Sequence, residues 1–502
     1  MKKHFSSMIA LLLAVLLLVS SLVACNKDET TTTSGATGTT DTNSPEGDED
    51  EERVDANGYV LDDLPESYDW DKDFTVLAWA DQFGWEFCEE ISAKSTQIEN
   101  ALYKRIQNVE ERFNVSFKFI KEAGAWGNRN AFVNKLAEST LNQDGLYDMV
   151  SAYTPAAGIA ATQGCYADLY SNKYLDFDKP WWPEQIVNTA KIGDRMYFCT
   201  GDITPTLIRN IQGMFMNVDM YNNYGVANDF GGRTIYEIVD DGDWTYENMK
   251  LMGLNRVDVN GGYQGINMNI GSGADPMLYA AGVVLIENDA DGHLKLSDRI
   301  KSQPIHDYFE DLQKLYYGEY DGAASGQIFT DMNFAAGKMM IWNCSFSAAG
   351  NYINCDFDWT ALPMPKLDTA QTDYRTCASF YVSMFSIPSD AKNKEMSGMI
   401  MEGLASDGYR NVTDIVYYNT FQAKYMGDPD KARMLDTLQY SVVFDHGRTF
   451  ADYLNMFGCF RAVDVLSEEE GGRKSWTEVL NANYEKWEFK LESLETLLGR
   501  AQ

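Results

Sequence analysis

The chain has 502 residues, with 41 Lys and Arg against 75 Asp and Glu, a formal charge of −34, and 45% hydrophobic and 13% aromatic content. That length exceeds one small core and favours two lobes, and the apolar fraction excludes a chain disordered throughout. An excess of carboxylates this large repels phosphate backbones and anionic headgroups, which excludes nucleic acid and lipid surfaces as partners of a basic face and leaves neutral or cationic small solutes open. Eight cysteines with no CxxC pair and no Cys/His cluster exclude a disulfide scaffold and a zinc module.

In chain order, Lys2 and Lys3 precede an apolar run from Met8 to Val19, then small residues up to Ala24. Twelve apolar residues fall short of the roughly 20 that span a bilayer, so residues 1–24 read as an export signal that is removed. The string LVAC resembles the lipobox of bacterial lipoproteins, which implies that Cys25 is acylated and anchors the chain to the outer face of the cell membrane. From Cys25 to residue 58 the chain is Thr, Ser, Gly, Asn, Asp and Glu with almost no apolar content. It cannot offset its ordering entropy and reads as a disordered acidic tether.

The folded part starts near Phe74. FTVLAWA and VSFKFI read as strands flanking a helix over 97–113, which has apolar residues at Ile98, Ala101, Leu102, Ile106 and Val109. A helix over Ala131–Leu141 and the strand YDMVSAY follow, the latter running into a loop with Pro155 and Gly158. A second set comprises the strand GMFMN, a helix from Val218 to Tyr224, the helix DWTYENMKLMG capped by Asp243 or Thr245, and the strand YQGINMNI. The segment 287–298 reads as a hairpin rather than a calcium loop, because its first carboxylate is Glu287 and its last Asp298, the reverse of the calcium pattern. A helix over Ile305–Tyr317, the segment FAAGKMMIWN, the strand FYVSMFSIP, helices over 392–404 and 429–440 and a terminal amphipathic helix over Trp476–Leu498 complete the chain. Alternating strands and helices predict an α/β fold with ligand loops at the carboxyl ends of parallel strands.

Only His293, His306 and His446 remain for base catalysis or metal ligation once the signal is gone, and no HExxH, GxSxG, P-loop or GxGxxG occurs. A nucleophile triad is therefore disfavoured, whereas a glycoside hydrolase, needing two carboxylates, stays as the rival. Aromatic residues collect at strand ends: Trp79, Phe83 and Trp85 after the first strand, Tyr153 after YDMVSAY, Trp342 and Phe346 in MIWNCSF. Sugar rings pack C–H patches on aromatic faces and pair their hydroxyls with planar polar groups. Asp81, Asp202, Asn269, Asp275, Asn343 and Arg375 occur in the same loops, although core packing accounts equally well for any one ring. Trp181, Trp182, Trp244, Trp476 and Trp487 read as packing residues.

The order of FTVLAWA, LYDMVSAYTPAAGIAATQGCYADL, KIGDRMYFCTGD, GMFMNVDMY, DWTYENM, FAAGKMMIWN, WTALPMPK and FSIPSDAKNKEMSGMIMEGLA, behind a lipobox and a tether, resembles the extracellular solute-binding lipoproteins of bacterial ABC importers, in the maltose-type sugar-binding group. The resemblance implies a two-lobed periplasmic-binding-protein-like fold of type 2 with the ligand cleft between lobes. It assigns residues 59–206 and 377–438 to one lobe and 207–370 and 439–502 to the other, with crossings near Thr204–Gln212, Pro363–Arg375 and Tyr440. It implies capture of a carbohydrate and delivery to permease subunits by a monomer that needs no cofactor and no metal and performs no catalysis. The alternatives are a cell-surface glycoside hydrolase and a glycan-binding, adhesive lipoprotein. The ligand-binding expectation covers Trp79, Asp81, Trp85, Tyr153, Thr154, Asp202, Ser272, Asp275, Trp342, Asn343, Phe346 and Arg375.

Overall fold

The computed structural model describes residues 53–81, 86–269, 273–324, 332–417, 428–457 and 474–500. The signal, Cys25 and most of the tether lie outside the described residues. Strand β1 (Lys72–Trp79) is followed by α1 (Gln97–Phe113), β2 (Val115–Glu122), α2 (Arg129–Asn142) and β3 (Met149–Tyr153). Helix α1 begins in a capping box, where Thr96 accepts from the Glu99 amide and Glu99 accepts from the Thr96 amide. β1 runs parallel to both β2 and β3, so the carboxyl ends at Trp79, Glu122 and Tyr153 open on one side. Helix α3 (Thr154–Thr162) starts directly after β3. The loop expected at Pro155 and Gly158 is therefore helical: Pro155 sits in the first turn, where its missing N–H costs nothing, and Gly158 permits a close helix contact.

After α4 (Glu184–Ala190), a second sheet is built from β4 (Gln212–Asn217), β5 (Gln264–Asn267), β8 (Ala323–Ala324), β9 (Met339–Ser345) and β10 (Trp359–Leu362), in the order β10-β4-β9-β5-β8. Between β4 and β5 lie α5 (Ile235–Asp240) and α6 (Tyr246–Gly253), the latter capped by Thr245 accepting from the Asn248 amide. Helix α7 (Asp275–Ala280), the antiparallel hairpin β6 (Ile286–Asn288) and β7 (Leu294–Leu296), and α8 (Gln303–Tyr316) are inserted between β5 and β8. The hairpin turn carries Gly292 at φ 82°, as its sequence predicts.

The chain then returns to the first sheet through β11 (Ser383–Ser386), antiparallel to β3 with Ser383 opposite Tyr153. Helix α9 (Lys394–Gly408) covers that sheet and packs on α1. Helix α10 (Pro429–Tyr440) packs on β10 and α5 of the second sheet, whereas α11 (His446–Thr449) and α12 (Ala451–Leu454) pack on α3 of the first. Helical period shows that a face is buried without showing which sheet it covers, so these partners leave no trace in the local sequence. Helix α13 (Trp476–Arg500) packs on β7, α8, α12 and α3, with the Trp476 indole donating to Ile300 O at 2.7 Å. Among the described residues no helix is long and apolar enough to cross a membrane.

Three passages between the sheets lie side by side. The Gln212 amide donates to Cys377 O at 3.0 Å and Ser379 to Asn210 O at 2.8 Å, while Thr376 donates to Ser441 O and Val443 to Thr376 O, both at 2.8 Å. Gly158 lets α11 settle on α3, for a Cβ there would stand 2.0 Å from Thr449 O. Gly158→Ala is expected to destabilise the protein by about 1–3 kcal/mol through overpacking, read as a lower urea midpoint.

Candidate functional site

Trp79, Tyr153 and Tyr381 gather where β1, β3 and the start of β11 meet. Ring centroids lie 5.4 Å apart for Trp79–Tyr153, 5.5 Å for Tyr153–Tyr381 and 6.3 Å for Trp79–Tyr381. Trp79 is fully buried and its indole donates to Ser383 Oγ at 2.9 Å. Ser383 Oγ in turn donates to Glu86 Oε1 at 2.8 Å, and Glu86 also accepts from Ser151 at 2.9 Å and Thr204 at 2.6 Å. Burial pushes the Glu86 carboxyl up, against those three hydrogen bonds, which favour its charge. Glu86 thus orients Trp79 through Ser383.

Asp81 follows β1 and accepts from the amides of Gly124 at 2.5 Å and Ala125 at 2.6 Å and from Asn128 Nδ2 at 3.3 Å. It therefore pins the loop after β2. That loop presents Trp126, 43% exposed, with the Arg129 guanidinium 4.3 Å from its ring centre and Phe457 edge-on at 4.8 Å. Arg129 is held by Asp452 in a two-bond pair, 2.8 Å for each bond. Phe457 meets Phe380 at 5.7 Å, and the Arg448 guanidinium covers Phe380 at 3.9 Å. Arg448 then pairs with Asp275, at the start of α7, at 2.6 Å in a buried contact. Burial pushes the Tyr153 phenol upward in pKa, with Tyr381 adding to it, while Arg448 and Arg129 pull the other way. The ring cluster of the first sheet therefore faces the second through Arg448 and Asp275.

Thr154 donates to Val382 O at 3.0 Å, which fastens α3 to the crossing segment. Asn343 is fully buried, accepting from the Asn269 amide at 2.5 Å and donating to Gly273 O at 2.6 Å. It braces the carboxyl ends of β5 and β9. Trp342 and Phe346, expected as an aromatic platform, are fully buried in the core of the second sheet with Phe215, Phe334, Tyr352 and Trp359. Asp202 stands apart from the rings and accepts from Thr413 at 2.7 Å. Arg375 lines a different cavity, and Trp85 and Ser272 lie outside the described residues. Sequence reasoning missed Trp126, Arg129, Tyr381, Glu86 and Arg448. The strand-end rule that selected Trp79 applies equally to Trp126, which follows β2, but nothing local marks Arg448. Trp181 and Trp182 pack as expected, both donating to Glu402 at 2.9 Å.

No family model matches the sequence, and no curated protein matches it. Solved structures do. The cyclic α-maltosyl-1,6-maltose binding protein from Arthrobacter globiformis is similar over 84% of this chain and 99% of its own, at 11% identity and a TM-score of 0.54. The GacH receptor of Streptomyces glaucescens, solved unliganded and with acarbose, is similar over 86% of this chain and 100% of its own, at 14% identity and a TM-score of 0.52. The extracellular solute-binding protein from Staphylococcus aureus, in complex with maltose, is similar over 87% and 98% respectively, at 11% identity and a TM-score of 0.51. The fold is that of the two-lobed solute-binding proteins. The paired crossings link the two sheets, and Arg448 and Asp275 join the cluster at Trp79 to the second.

Two outcomes test these assignments. Arg448→Gln leaves Asp275 buried without its cation and is expected to cost about 3–5 kcal/mol of stability, read by urea denaturation. Desolvation pushes Asp202 up to about 7 from 3.8, so its contribution is complete below pH 3.8 and is lost as pH rises through about 7. The native chain should accordingly lose stability relative to Asp202→Asn as pH rises from acid toward about 7. A native chain that gains stability relative to Asp202→Asn over that interval contradicts the assignment.

Proposed function

We propose that the protein is the substrate-binding component of an ABC importer, capturing an oligosaccharide outside the membrane and releasing it unaltered to permease subunits. On this reading Cys25 carries the lipid anchor, residues 26–58 are the tether, and the lobes close over the ligand as a monomer without cofactor or metal. The observation that carries the proposal is the run of rings from Tyr381 and Tyr153 to Trp126, interleaved with guanidinium and carboxylate groups, at the open ends of a solute-binding fold. Tyr381 and Trp126 offer ring faces to sugar C–H patches.

Capture is favoured over hydrolysis by what the nearby carboxylates already do. Asp81 is engaged by two amides and an asparagine, Asp452 by Arg129 and Asp275 by Arg448. A glycosidase acid must hold a proton at neutral pH, which neighbouring cations oppose.

Titration calorimetry of the full chain against linear and cyclic malto-oligosaccharides tests the proposal. A binding sugar should raise the melting temperature, and Trp126→Ala should weaken it by about tenfold, consistent with an aromatic contact of about 0.5–1.5 kcal/mol beyond simple burial. Release of new reducing ends during incubation, or a panel with no melting shift at all, would overturn it.

A further inference from the structure

A cavity of about 690 Å³ opens between α4, the segment Thr372–Arg375 and the end of α10. This volume falls within the range of about 300–1,000 Å³ typical of small-ligand sites. It shares no residue with the cluster of Trp79, Tyr153, Tyr381 and Trp126. Its lining combines the apolar Val284, Val443 and Phe444 with polar groups. Gln185, Asn188 and Thr189 offer exposed amide and hydroxyl groups from α4, Thr437 lies across from them, and Tyr440 is 75% exposed at the rim.

Arg375 lies in the wall of this cavity, half-buried. Among the described residues its guanidinium forms no hydrogen bond and no ion pair, although the protein carries 75 carboxylates. A half-buried arginine in a chain this acidic ordinarily finds a carboxylate, and its planar fork matches one in two-bond geometry. Asp373 shares the lining but is exposed and makes no ion pair with Arg375 among the described residues.

We propose that this cavity is a second ligand site, separate from the cleft, for a sugar acid: a hexuronate whose carboxylate pairs with Arg375. The remaining hydroxyls meet Gln185, Asn188 and Asp373, and a C–H face lies on Tyr440. An acidic saccharide fits better than a bare anion, because one guanidinium accounts for one carboxylate while the amides, hydroxyls and phenol require a polyhydroxylated body. Because α4 belongs to the first sheet's layer and Thr372–Arg375 leaves the second, an occupant touches both sides of the crossing segments.

Titration of the full chain with D-galacturonate and, separately, with neutral D-galactose tests this site. Galacturonate is expected to bind, and galactose to bind at least about tenfold more weakly, the worth of one charge-assisted contact. Arg375→Gln should reduce galacturonate affinity by about tenfold or more while leaving the unliganded melting temperature in place, since no partner inside the protein is lost. Tyr440→Ala, at an exposed position, should weaken binding several-fold with the fold intact. Equal affinity for galactose, undiminished binding by Arg375→Gln, loss of binding through Trp126→Ala instead, or no heat with galacturonate up to about 10 mM would each overturn the proposal.

Discussion

Everything at the site depends on the narrow ribbon where three passages of the chain pair between the sheets. Backbone bonds join 210–212 to 377–379, and 376 to 441 and 443. Side chains lock the same ribbon: Asn210 donates to Tyr381 O at 3.0 Å, Ser379 to Asn210 Oδ1 at 3.0 Å and Thr376 to Gln212 O at 2.7 Å. These bonds fix the register of the three passages between the sheets. The ribbon also sets Tyr381 beside Tyr153, because the crossing segment leads straight into β11. Crossing ribbon and ring cluster are one construction.

Buried carboxylates brace this construction where apolar packing alone would not fix a direction. Glu86 gathers Ser151, Thr204 and Ser383, which come from β3, the segment before the first crossing, and β11. Glu402 on α9 receives both indoles of Trp181 and Trp182, and desolvation pushes it up to about 8. Asp62 accepts two bonds from Arg112, at 2.9 and 2.6 Å, and one from Ser406 at 2.6 Å, tying the segment before β1 to α1 and α9. Each buried charge is costly to desolvate, and each is offset by several donors aimed at it. Their directionality holds the Trp79 indole, which donates to Ser383, in one orientation.

The strands and helices of the first sheet were legible because hydrophobic period and strand-end aromatics act locally. β1, α1, β2 and β3 fall where FTVLAWA, the 97–113 pattern, VSFKFI and YDMVSAY place them. Trp79 and Tyr153 come together because both end parallel strands of one sheet. Trp342 shows the limit of that rule: an aromatic residue near a strand end faces either the cleft or the core, and only the packing of Phe215, Tyr352 and Trp359 decides. Arg448 and Asp275 are separated by 173 positions, so their pairing leaves no local trace. The sheet that each of α10 and α11 covers is illegible for the same reason, since both helices bury a face and only long-range contacts distinguish the partner.

A last consequence concerns charge. The chain carries −34 overall, yet the site is locally balanced: Arg129 meets Asp452 and Arg448 meets Asp275. Both guanidiniums also lie over rings, Trp126 and Phe380, which places positive charge against aromatic faces and leaves the carboxylates held by their cations. A net-neutral array of fixed dipoles in a strongly acidic protein repels neither sign at short range. It presents many directed donors and acceptors, and it suits an uncharged solute whose hydroxyls need partners when water is expelled. A free cation would have to compete with Arg129 and Arg448 for carboxylates already engaged, and a free anion would have to compete with Asp452 and Asp275 for their guanidiniums. Local neutrality, rather than the overall charge, thus characterises this cluster, and Arg375, whose guanidinium has no such counterpart among the described residues, stands elsewhere.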